Sequence, residues 1–118
     1  MRKLIIPILT ISILVIAANA SAQSYNKADS KYIIEYATKS GVIERIDMNR
    51  HRIYVNHGQW VYVLDARSKE LMVHLAADYF RHHDPSWNQD GRPHAEIYSN
   101  RTGKRVARWT TFRGVRLD

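Results

Sequence analysis

The chain contains no cysteine. No disulfide can staple it, no thiolate can bind zinc, and no thiol can serve as nucleophile or redox group. Small exported domains often rely on disulfides, so this one must draw its stability from packing, a partner or a metal. Carboxylates are also scarce, 11 against 18 Lys and Arg, and the pattern brings no pair of them to a shared site. A G-x-S-x-G nucleophile elbow is missing, as are a glycine-rich phosphate loop and an H-E-x-x-H pair. No internal repeat or low-complexity stretch occurs. No residue pattern therefore names a reaction, and the composition favours binding over catalysis.

What is present begins with an address. Arg2 and Lys3 precede an uncharged apolar run from Leu4 to Ala18, and Ala18-Asn-Ala20 and Ala20-Ser-Ala22 follow as small-x-small cleavage sites. This three-part layout is that of a secretory signal peptide. The run falls short of the ~20 residues that a bilayer-spanning helix needs, Pro7 interrupts it, and no basic stop-transfer cluster follows. Residues 1–22 are expected to be removed on export, leaving a 96-residue periplasmic or secreted domain. That length supports one modest core.

The formal charge of +7 falls to +5 without Arg2 and Lys3. All of that excess lies between Arg101 and Asp118, where Arg101, Lys104, Arg105, Arg108, Arg113 and Arg116 face a single acid, Asp118. Such asymmetry suggests an acidic partner: an envelope protein, or a polymer such as nucleic acid or anionic glycan or lipid.

Residues 23–40 form a polar lead-in followed by YIIEYATKS, whose β-branched and aromatic content favours a strand over the short helix that Ser30 could cap. Three strands are expected next, over 42–47, 52–56 and 59–64, joined by the turns Met48–His51 and His57-Gly58. Turn length then sets register. Ile53, Val55, Trp60, Tyr62 and Leu64 share the core face with Val42 and Ile46. On the other face Arg45 lies opposite Tyr54 and Asp47 opposite Arg52. A helix is expected over about 67–82, where Leu71, Leu75 and Tyr79, with Met72, Ala76 and Phe80, recur at helical spacing. It stops before Pro85. A last hairpin joins 94–99 to 104–112 through Asn100-Arg-Thr-Gly103, setting Ile97 opposite Ala107, Ala95 opposite Trp109, Glu96 opposite Arg108 and Tyr98 opposite Val106. The string of three strands, helix and two strands has the element order of an OB-like, partly closed five- to six-stranded barrel over 41–118.

On such a barrel Arg45, Arg52 and Tyr54 offer cations and a stacking ring on the strand face, and Lys104, Arg105, Arg108, Arg113 and Arg116 extend the basic surface. These residues point to an exported binding or adaptor domain. An alternative rests on His82, His83, Asp84 and His94, whose imidazole and carboxylate groups suit zinc or copper. A small secreted basic hydrolase or nuclease is a third expectation, for which the sequence singles out no residues.

Overall fold

The computed structural model describes residues 25–88 and 93–118; the expected signal peptide of residues 1–22 lies outside them. The first element is a helix, α1 (Lys27–Lys39). Its start is a side-chain cap: Asn26 Oδ1 accepts the Asp29 N–H at 2.7 Å, filling one of the donors a helix leaves open. At its other end Gly41 takes φ +86°, with Gly41 N–H donating to the Thr38 carbonyl and Val42 N–H to that of Ala37. This double bond pattern is a helix-stopping motif that requires a left-handed residue. The expectation of a strand here is corrected. Two local caps outweigh β-branched composition, and Ile33, Ile34 and Ala37 fall on one helical face that is fully buried.

Strands β1 (Ile43–Asp47) and β2 (Arg52–Val55) then pair antiparallel. Arg45 lies opposite Tyr54, Ile46 opposite Ile53 and Asp47 opposite Arg52, as turn length and alternation required. A bulge at Glu44 follows, since Ile43 as well as Val42 is buried and one extra residue must be absorbed.

The next segment departs from the sequence expectation. Gln59–Val63 forms a wide, π-helical turn. Asn56 Oδ1 accepts the Gln59 N–H at 3.0 Å, and the Leu64 N–H reaches back to the Gln59 carbonyl. Trp60 and Leu64, four residues apart, both enter the core, while Tyr62 is 83% exposed. Strand propensity in QWVYV yields to a capping side chain and to burial of the indole, because such propensity measures fit to a sheet surface rather than a backbone preference.

Helix α2 (Ala66–His83) is capped by Asp65, whose carboxylate accepts the Ser68 N–H at 2.8 Å. It ends at Asp84, which precedes Pro85. Met72, Val73, Leu75, Ala76 and Phe80 are fully buried. After α2 come β3 (His94–Ser99), β4 (Arg105–Thr110) and β5 (Gly114–Leu117). Strand β3 pairs parallel with β2, which needs a long crossover that α2 supplies. Strands β3, β4 and β5 then run antiparallel, giving one sheet in the order β1-β2-β3-β4-β5.

The β3–β4 register is the expected one at Ala95–Trp109, Glu96–Arg108 and Ile97–Ala107, but Tyr98 lies opposite Arg105, with Val106 bulged. Segment 104–112 is cut at Thr110 and continued by β5, whose turn places Gly114 at φ +63°. The protein is thus α+β, with a mixed five-stranded sheet that stays open. The OB-like barrel is not what forms: loss of the expected third strand leaves α2 ahead of β3, and β3 joins β2 in parallel. Ile53, Val55, Ala95, Ile97 and Ala107 meet α1 and α2 in one core. Among the described residues no helix is long and apolar enough to cross a membrane.

Candidate functional site

Alternation along the strands sends every second side chain away from the helices. On that outer face lie Arg45 and Asp47 of β1, Arg52 and Tyr54 of β2, Glu96 and Tyr98 of β3, Arg105 and Arg108 of β4, and Arg116 of β5, with Asp118 beyond it. No helix among the described residues packs on this side.

The face is organised by rings under cations. The Arg45 guanidinium sits 3.7 Å above the centre of Tyr54, and that of Arg52 sits 4.5 Å from the centre of Tyr98. The two tyrosine rings lie 5.5 Å apart. Each stack contributes about 0.5–1 kcal/mol where solvent reaches it. Arg52 at the Tyr54 hydroxyl lowers the pKa of that phenol, and the same contact raises the pKa of Arg52.

The acids are already engaged. Glu96 takes Arg52 on one oxygen and Arg105 on the other, each at 3.4 Å, and Asp118 takes Arg105 Nε at 2.8 Å. Arg108 gains no share of this, although Glu96 is its direct cross-strand neighbour. Its Nε is buried without an acceptor, and across the β4–β5 pair it faces Arg116. Like charges directly opposite each other destabilise a sheet. The basic residues thus divide into neutralised and free groups, a division the sequence does not contain.

Next to Arg108 a groove of about 830 Å³ runs from Pro93 and Glu96 past Trp109 to Phe112 and Arg113 on the β4–β5 turn. Phe112 is 96% exposed. Lys104, on the β3–β4 turn, projects at the opposite end of β4 from Arg113. The expected C-terminal basic cluster is therefore split: Arg105, Arg108 and Arg116 join Arg45, Arg52 and Tyr54 on the sheet, and Lys104 and Arg113 stand at its two ends.

The histidine group is also divided. His82 Nε2 donates to the Tyr25 carbonyl and His83 Nε2 to that of Lys27, both at 3.2 Å, so these two tie the end of α2 to the start of α1. Asp84 turns the other way and pairs with the buried Nε2 of His51. His51 takes a left-handed φ of +55° in the β1–β2 turn. Its ring is enclosed by Phe80, Trp87 and His94 at centroid distances of 5.1–5.3 Å. Asp84 also accepts the Ser86 N–H and hydroxyl. The Ser86 backbone, with His51 and the Ser86 hydroxyl behind it, holds the Asp84 carboxyl below the usual aspartate value. Among the described residues no three His, Asp or Glu side chains are arranged to hold a metal. Sequence reasoning gave His51 no role beyond its turn and missed its pairing with Asp84, since nothing local signals a partner 33 residues away.

No family model, no curated protein and no solved structure matches this chain.

Proposed function

We propose that the protein is a non-catalytic binding module of the cell envelope that takes an acidic polymer on the open Arg–Tyr face of its sheet. One observation carries this reading. Arg45, Arg108 and Arg116 have no acidic partner among the described residues, while the acids beside them are engaged by Arg52 and Arg105. Unneutralised guanidinium groups suit phosphate or carboxylate groups spaced along a chain, and the planes of Arg45 and Arg52, held flat on the tyrosine rings, offer an outer face to a sugar or base. The signal-peptide layout of residues 1–22 supports a place outside the cytoplasm.

The test is retention on heparin and on single-stranded DNA across a salt series. Retention should fall steeply with salt, because bound counterions are released from the polymer. Replacing exposed Arg45 and Arg116 by Gln should lower the log–log salt slope by about one per lost phosphate contact. Retention equal to that of a neutral domain of the same size overturns the reading. Retention on neither polymer, with capture of one acidic envelope protein, replaces the polymer by a protein.

A further inference from the structure

We propose that the groove at the β4–β5 turn is a headgroup site for an anionic lipid, at the edge of the polymer face and sharing Arg108 with it. Arg108 and Arg113 would take the phosphate and Phe112 would enter the acyl layer. Three observations meet there. The first is electrostatic. Arg108 carries a buried Nε without an acceptor, stands opposite Arg116, and lines the groove together with Arg113. Glu96 lines it too, but its single charge is already shared between Arg52 and Arg105, one on each oxygen, and it makes no ion pair with Arg108. A fork of N–H donors with no acceptor suits an oxyanion that accepts two parallel bonds.

The second observation is apolar. Phe112 is the most exposed large hydrophobic side chain among the described residues, at 96%. It sits at the tip of a tight turn directly before Arg113. A ring held out from a turn, with a cation beside it, matches the layering of a membrane surface, where acyl chains lie just below anionic headgroups. The third is shape. Trp109 forms part of the groove wall and stacks on Trp87 with centroids 5.8 Å apart. Its position is therefore set by the core, which gives the groove a rigid apolar side. About 830 Å³ falls within the range of small-ligand sites. Inorganic phosphate or an anionic glycan would use the cations and leave Phe112 in water, so the ring is what favours a lipid over either.

Amide NMR of the full chain with dihexanoyl-phosphatidylglycerol, kept below its micelle concentration, tests this. The matching phosphatidylcholine and inorganic phosphate serve as separate arms. Shifts should concentrate at 94–96 and 108–116 with phosphatidylglycerol and be weaker by roughly tenfold with phosphatidylcholine. Arg108→Gln should weaken binding by about the same factor. Phe112→Ser, which alters a side chain with no core contact, should keep the fold and lower affinity for the lipid while leaving the inorganic phosphate response unchanged. Equal response to both lipids removes the charge recognition. Inorganic phosphate binding as tightly as the lipid reduces the groove to a free-phosphate site. Shifts confined to the Arg45–Tyr54 face, or Phe112→Ser matching the parent chain, overturn the proposal outright.

Discussion

Tyr25 shows how one side chain can be tied down at its backbone and left wanting at its tip. Its N–H donates to Asp78 Oδ2 at 2.8 Å, and its ring is almost wholly buried. The hydroxyl, however, has no hydrogen-bond partner. Burial, with the Asp78 charge adding to it, pushes the phenol up to about 12. A pKa raised on folding means that the associated stability is present below the unfolded value near 10 and lost as pH climbs toward 12. Tyr25→Phe removes both the orphaned hydroxyl and the titration. Thermal melts should show it equal to the parent or up to about 1 kcal/mol more stable at pH 7. Its decline between pH 10 and 12 should be shallower. A loss exceeding that amount at pH 7 would mean that the hydroxyl has a partner after all.

At the scale of elements, the π-helical turn at Gln59–Val63 is where strand propensity and tertiary packing disagree. Alternation alone puts Trp60 and Tyr62 on the same face, whereas the helical turn separates them and pairs Trp60 with Leu64. Trp60 is 4% exposed and Tyr62 83%. The two readings make different demands on mutants. Trp60→Ala should cost about 3–5 kcal/mol in denaturant unfolding, as large core truncations do. Tyr62→Ala should stay within about 0.5 kcal/mol of the parent chain, as surface changes do. Similar large costs at both positions would restore the strand. The two hairpins behave differently: turn length and alternation read their registers from sequence almost throughout, and they failed only where a bulge was needed at Glu44 and Val106. A bulge answers to what the extra residue packs against, and that is not written in the turn.

For the whole molecule, the His51–Asp84 pair joins the β1–β2 turn to the end of α2, and Ser86 anchors the same carboxylate from the following turn. With no cysteine available, this buried polar contact fastens three parts of the chain. Asp84 has a lowered pKa in the folded state. Its contribution is therefore present above the ordinary aspartate value of 3.8 and is lost as pH falls through the lower folded value. Asp84→Asn keeps the shape but removes the charge. It should cost about 1.5–3 kcal/mol at pH 7, the range for a hydrogen bond to a charged group. Its stability should also change less between pH 5 and pH 2 than that of the parent chain. An acid profile superimposable on the parent's would show that Asp84 carries none of this coupling.

Sequence by itself determined what depends on residues a few positions apart. It set the span of α2, the pairing of Arg45 with Tyr54 and of Glu96 with Arg108, and the absence of any covalent staple. Each follows from period, turn chemistry or composition, which act over one or two turns of chain. Tertiary structure decided what depends on which distant surfaces meet. Burial of Ile33, Ile34 and Ala37 made a helix of a strand-like segment. The parallel junction of β2 with β3 opened the sheet and brought Tyr98 beside Tyr54. The seating of β5 against β4 set Arg116 opposite Arg108 and left that guanidinium without an acid. Long-range pairing is chosen by the packing of whole faces, and a local pattern compatible with several such pairings carries no record of the one that wins.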